Sequence, residues 1–279
     1  MITTNQAALH RGKAERSEVA IAFPRIVTTS WDDGDSYDLR VAEILQARKL
    51  AGTFYVPIAG HQGSSAMDDR DLRALGSGGF EIGAHGLSHR VLSHCAKEKL
   101  AQEVETCKKR LEEILGTEVR MFAYPRGRYS GTAIRSVKQA GYAGARTTQM
   151  LVQALNFDPY KMPTTVHVFP HSKSDYVRNA ARAADFGAGW RYLTQLRQVD
   201  SWVELAKIMF DSVLREGGIF HLYGHSWEID EMGLWNDLKE VLDYVSMREG
   251  VLYLSNAGIL DYAPANDRLQ LEHHCPSEG

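Results

Sequence analysis

The chain of 279 residues is poor in cysteine: only Cys95, Cys107 and Cys275 are present, and no two form a C-x-x-C pair. An odd number of unclustered thiols reads as free cysteine in a reducing compartment, and Cys107, inside a helical pattern, reads as packing. Long apolar runs are missing too. Nothing approaches 18 uninterrupted apolar residues, and the polar opening from Met1 to Gln6 leads into no signal-type apolar segment before Phe23. The expectation is a cytoplasmic protein with no transmembrane segment. Charge of one sign is scarce: 32 Lys and Arg stand against 35 Asp and Glu, a formal net charge of −3, without a basic stripe. That argues against nucleic acid as a partner. Internal repeats, low-complexity tracts, Pro- and Ser-rich linkers and the G-x-S-x-G elbow of a serine hydrolase are also absent.

What is present is a hydrophobic fraction of 44%, enough for a large core, in short β-rich runs that alternate with amphipathic patterns. Strands are expected at 26–31, 52–56, 80–83, 121–124, 144–147, 165–169, 218–223 and 251–254. Helices are expected at 37–49, 69–75, 97–115, 132–140, 201–215 and 234–248. This alternation implies right-handed βαβ units and a parallel sheet, and seven or eight strands favour a barrel over an open sheet. The expected organisation is one α/β domain over 23–262, with tails at 1–22 and 263–279.

Three motifs carry the chemistry. Ser30-Trp31-Asp32-Asp33-Gly34 puts two carboxylates at the end of the first strand. His85-Gly86-Leu87-Ser88-His89 follows the third strand with two imidazoles four residues apart. Leu222-Tyr223-Gly224-His225-Ser226 ends a later strand with another imidazole. In a parallel barrel these strand ends gather at one face, together with Tyr124-Pro125-Arg126-Gly127 and Arg146. Two His and one carboxylate around a divalent metal leave a position for water, and the remaining carboxylate and His are free to move protons. The i, i+4 spacing of His85 and His89 would place both on one face of a helical turn. His167 and His171 share that spacing, but Phe169-Pro170 interrupts them, so they read as a substrate-loop or structural pair. His221, on the same strand as His225 but deeper, reads as a core residue or as one that supports the site from behind. Trp227, Trp190 and Tyr129 are candidates for stacking on a substrate or for core packing.

These motifs, with Phe122-Ala123-Tyr124-Pro125-Arg126-Gly127, stand in the order and spacing of the polysaccharide deacetylases. This is carbohydrate esterase family 4, with the homology domain of the nodulation-factor chitooligosaccharide deacetylase. The likeness runs from about Arg25 to Tyr262. It implies a distorted (β/α) barrel of about seven parallel strands. It also implies Asp32 as catalytic base, Asp33, His85 and His89 as metal ligands, and His225 as the acid that protonates a leaving amine. Tyr124, Pro125, Arg126, Trp227 and His167 are the expected oxyanion and substrate contacts, with the Arg126 N–H meeting the oxyanion. The sequence departs from the family pattern where an Arg two residues before the Pro would contact the base. Ala123 stands there, and Arg146 is the expected substitute. The usual aromatic after the Pro is Arg126, and the family's fourth motif, an Asp/Trp pair, is not recognisable.

The implied reaction removes an acetyl group from an N-acetylated amino sugar, a small glycan or a nucleotide- or lipid-linked sugar. Zinc is the default metal for two imidazoles and a carboxylate, and cobalt, nickel or manganese would fit the same ligands. The competing functions are hydrolysis of another C–N bond, such as a ureide or cyclic amide, and a non-catalytic carbohydrate-binding relative. The intact set Asp32, Asp33, His85, His89 and His225 argues against both.

Overall fold

A computed structural model describes residues 23–59, 65–182, 199 and 201–262. Both expected tails, together with Trp190 and Cys275, lie outside the described residues.

The centre of the molecule is β1, Arg25–Asp32, a β-branched run buried along nearly its whole length. A strand covered on both faces reads as continuously apolar, as a parallel sheet requires. Around it stand β2 (Thr53–Val56), β3 (Glu81–Ala84), β4 (Met121–Ala123), β5 (Gly144–Arg146), β6 (Val166–His167), β7 (Gly218–His225) and β8 (Val251–Tyr253). Seven of them follow the order β5-β4-β3-β2-β1-β7-β6, every pair parallel, in a curled α/β sheet. The eighth, β8, pairs with the first three residues of β1, while β2 pairs with the last three. Asn256 seals the point where β1 changes partner: it accepts from the Thr28 hydroxyl and donates to the Tyr55 hydroxyl.

Between β5 and β6 no strand ladder closes the curl. An irregular segment does so instead. Met162 and Ala145 pair through N–H···O=C, and Thr165 reaches the His221 carbonyl. This is the distortion of the barrel.

The two faces of β1 show how the sheet positions a site. Val27 and Trp31 join the main apolar core. Ile26 belongs to a smaller cluster with Tyr55, Met121 and Ile219, and since side chains alternate along a strand, Thr28, Ser30 and Asp32 share its face. On that face polar pairs climb the strand: Thr28 with Asn256, Ser30 Oγ with His221 Nε2 at 2.8 Å, and Asp32 with Arg146. Thr28, Ser30 and Asp32 each meet a partner on that face, as burial demands.

The helices expected from the sequence form at Asp38–Gln46, Asp69–Ser77, Gly131–Gln139, Trp202–Glu216 and Trp235–Val245. The long one is not uniform: Lys97–Ala101 and Cys107–Leu115 are joined through a π-helical turn at Gln102–Thr106. Two further helices, Lys173–Arg182 and Ser226–Glu231, were not expected. Among the described residues no helix is long and apolar enough to cross a membrane.

Candidate active site

Strand register brings the distant motifs together. In the β1–β7 ladder Asp32 is the direct neighbour of His225, and Ala123 faces Arg146 across β4 and β5. Past the end of β1 the chain turns through left-handed backbones at Asp33 (φ 80°) and Gly34 (φ 64°).

Asp33, His85 and His89 converge. Asp33 Oδ1 lies 3.2 Å from His89 Nε2 and 3.6 Å from His85 Nε2. The His85 Nδ1–H donates to the Ala123 carbonyl at 2.8 Å, since a carbonyl can only accept, so Nε2 keeps its lone pair for the cluster. The indole N–H of Trp227 donates to Asp33 Oδ2 at 3.0 Å. Asp33 Oδ1 itself is buried with no hydrogen-bond donor. A buried, undonated carboxylate oxygen facing two imidazole nitrogens fits a divalent cation, and the donor set suits zinc-like metals.

The route by which the two histidines meet corrects the expected helical turn. His85 to His89 is a loop, bent through left-handed Gly86 (φ 85°) and His89 (φ 52°). Glu103, on the π-helical turn and fully buried, holds it: the carboxylate accepts from the Ser88 N–H at 2.8 Å and the Ser88 hydroxyl at 2.6 Å. The Glu103 carbonyl takes the Leu87 N–H. Extra-wide helical turns are common where a helix serves a site.

Beside this cluster Asp32 is almost wholly buried. Its Oδ1 is in close contact with Arg146 Nη2, and its Oδ2 stands 3.9 Å from the Nε2 atoms of both His85 and His225. Burial pushes the Asp32 carboxyl up, but Arg146, then His85 and His225, outweigh it and hold it at about 2. Arg146 is fully buried, its guanidinium 5.1 and 5.2 Å from the ring centres of Tyr55 and Tyr223. Burial works against its charge and Asp32 more than restores it.

His225 ends β7, and its Nδ1 meets Glu228 Oε2 at 2.6 Å. Burial disfavours its charge, yet the Glu228 bond and the carboxylates of Asp32 and Asp33 raise it to about 9. Glu228 is pulled well below the ordinary carboxylate range: burial opposes this, and His167 and His225 prevail. His167 Nε2 is 3.3 Å from Glu228 Oε2, and its Nδ1 meets His171 Nε2 at 2.8 Å. Burial lowers His167 to about 4. His167 is thus placed behind Glu228 in the interior, not on an open substrate surface. His221, held between Ser30 and the Pro163 carbonyl, is a buried neutral histidine, lowered to about 3 by burial and Arg146.

The Tyr124-Pro125-Arg126-Gly127 segment forms one tight turn. Gly127 N–H bonds to the Tyr124 carbonyl and Arg128 N–H to the Pro125 carbonyl, leaving the Arg126 N–H without an acceptor among the described residues. Arg126 is left-handed (φ 57°), and a Cβ on Gly127 would stand 2.0 Å from the Thr148 hydroxyl oxygen, so only glycine fits. Tyr124 and Pro125, expected at the substrate, are buried: the Tyr124 hydroxyl donates to the Tyr160 carbonyl. Tyr129 is exposed.

Two of the contributing residues went unnoticed in the sequence. Glu228 lies three residues past His225, a spacing that becomes meaningful only once a helix starts there. Glu103 sits on a π-helical turn that no periodicity signals. Trp227 was noticed, but for its ring and not for its N–H.

A polysaccharide deacetylase family model matches residues 23–145, which include Asp32, Asp33, His85, His89 and the Tyr-Pro-Arg-Gly turn. Solved structures with a similar fold include a Mycobacterium smegmatis protein assigned to the polysaccharide deacetylases. It shares 14% identity over 88% of this chain and 92% of that one, with a TM-score of 0.59. Another is the Xyl-CE4 domain of a multidomain xylanase from the hindgut metagenome of Trinervitermes trinervoides, at 12% identity over 86% and 92%, TM-score 0.55. A third is a Bacillus anthracis pseudoenzyme of the same esterase family, at 13% identity over 85% and 66%, TM-score 0.52. At such identities the likeness is one of fold. No curated protein matches the sequence. Over residues 23–145 the chain thus matches the polysaccharide deacetylase family model, and its overall fold is that of the solved esterase-family structures.

Proposed function

We propose that the protein is a metal-dependent hydrolase that removes the acetyl group from an N-acetylated amino sugar. The observation that carries this reading is the undonated Asp33 Oδ1 facing His85 and His89, with Asp32 and His225 at its side. A divalent ion held by Asp33, His85 and His89 would supply Lewis acidity, lowering the pKa of a water and polarising the acetamide carbonyl. Asp32, kept ionised by Arg146, is the base, and its Oδ2 is the oxygen left to accept a proton from the attacking water. The Arg126 N–H donates to the oxygen that becomes negative as the carbonyl turns tetrahedral. His225, protonated because Glu228 holds its Nδ1–H, delivers the Nε2 proton to the departing amine. An amine is a poor leaving group unless protonated, so a charged acid and an ionised base are both required, and they are the two forms this environment favours.

The substrate class that goes with a cytoplasmic setting is a short oligosaccharide or a carrier-linked sugar. The test is elemental analysis of bound metal in the wild type and in His85→Ala/His89→Ala, alongside acetate release from N-acetylated sugars and their nucleotide conjugates. One metal per chain, lost in the variant together with acetate release, is the expected result. Metal without acetate from any sugar would redirect the reading to another amide, and no metal under any loading condition would overturn it.

A further inference from the structure

Beside the reacting centre lies a cleft of about 290 Å³ between the loops that follow β4 and β5. Arg126, Arg128, Tyr129, Thr148, Gln149 and Asn179 are among the residues that line it. Its charge is one-sided. Both arginines are exposed, neither has a carboxylate or other side-chain partner among the described residues, and no acidic residue lines the cleft among them. The Thr148 hydroxyl and the Gln149 amide are likewise uncommitted, whereas Asn179 is spent on the backbone of Met150 and Thr148. Position follows from the turn. Arg126, whose N–H has no acceptor among the described residues, is also one of the residues that line the cleft. Thr147, at the cleft's wall, directly follows Arg146, the partner of Asp32.

We infer that this cleft binds an anionic substituent, phosphate or carboxylate, carried on the sugar whose acetamide is cleaved or on the unit next to it. Two guanidiniums with free donors are the side-chain chemistry that recognises such groups, and the exposed Tyr129 ring adds a face for the sugar between them. An anionic group in the cleft would have two guanidiniums to pair with, where a neutral sugar would engage neither charge. The substrate part of this inference rests on the deacetylase reading; the anion site does not.

The test therefore separates the two. Inorganic phosphate and glucuronate are titrated calorimetrically into His85→Ala/His89→Ala, a background chosen so that anion binding at a metal contributes nothing. One of the two should bind, the better ligand telling phosphate from carboxylate, and adding Arg128→Gln should weaken it at least tenfold while Arg128→Lys keeps most of it. Arg128 is exposed, and thermal melts verify that each variant is folded. Turnover with the metal ligands intact gives a second reading. The ratio of kcat/KM for an N-acetylhexosamine phosphate, or an N-acetylated uronate, to that for the uncharged sugar should fall tenfold or more in Arg128→Gln. Arg128-dependent anion binding without acetate release from any sugar would remove the deacetylase reading and leave the anion site standing. If neither anion binds, or if Arg128→Gln binds as well as its parent, the site does not exist.

Discussion

His225, the proposed acid, owes its charge chiefly to one neighbour. His225 titrates at about 9 mainly because Glu228 accepts its Nδ1–H, with Asp32 and Asp33 adding their fields against the cost of burial. A group raised in this way is protonated below its folded-state pKa and loses its proton as pH rises through it. Activity that needs the imidazolium should persist to about pH 9 in the wild type. Glu228→Gln should bring the alkaline limb of kcat/KM down toward the ordinary histidine value of about 6.5, with little loss at pH 6. A pH–rate profile checks it, and an unmoved alkaline limb would mean that His225 is not the proton donor. The same shift stabilises the fold below the unfolded histidine value, and that contribution is lost as pH rises toward 9. At this scale the sequence was legible where residues are adjacent: Asp32-Asp33 and His85-x-x-x-His89 announce themselves. Arg146, 114 positions from Asp32, was reachable only as the missing charge of an incomplete motif. Glu228 was invisible because its contact depends on the first turn of a helix only six residues long.

At the scale of elements, the loop from His85 to His89 depends on a helix that does not touch the substrate face. Glu103 reaches it because the π-helical turn shifts the register of the helix by a fraction of a turn relative to a regular run. Without that carboxylate the Ser88 N–H and hydroxyl lose their acceptor, and the loop loses what holds its left-handed bends. Glu103→Ala should cost about 1–3 kcal/mol of stability, the magnitude of leaving buried polar groups unpaired. It should also weaken metal binding about 10- to 100-fold, as for other residues that orient ligands. Denaturant titration and a competitive chelator assay give the two numbers; weakened folding with unchanged metal affinity would make Glu103 purely architectural. The strands were readable to within two or three residues because a buried parallel strand is apolar throughout. The π-helical turn was not, since Leu100, Val104, Cys107 and Leu111 keep an unbroken apolar spacing through it.

For the whole molecule, the consequence of the architecture is that a cation at Asp33, His85 and His89 would join the loops after β1 and β3. A ligand that binds only the folded chain adds RT ln(1 + [L]/Kd), about 4 kcal/mol at a thousandfold excess over Kd. Zinc should therefore raise Tm by several degrees in the wild type and leave His85→Ala/His89→Ala where it was, a comparison that differential scanning calorimetry reads directly. Equal melting points with and without metal would say that the three side chains hold no ion. The barrel itself followed from the alternation of strands and helices. Its irregular closure at Met162 and Thr165 did not, because single backbone pairs leave no periodic mark.

Three residues around the site, Asp33, His89 and Arg126, hold left-handed backbones without being glycine. Each such residue costs about 1–3 kcal/mol, and glycine would relieve it. Selection for thermal robustness alone would rewrite these three positions, and glycine at 33 or 89 would erase a side chain of the candidate metal site as it did so. Durability and use are opposed here at the level of single codons. A lineage drifting from this chain toward a sturdier, silent barrel has its shortest path through 33 and 89, whereas glycine at 126 would keep the backbone N–H and lose only the guanidinium.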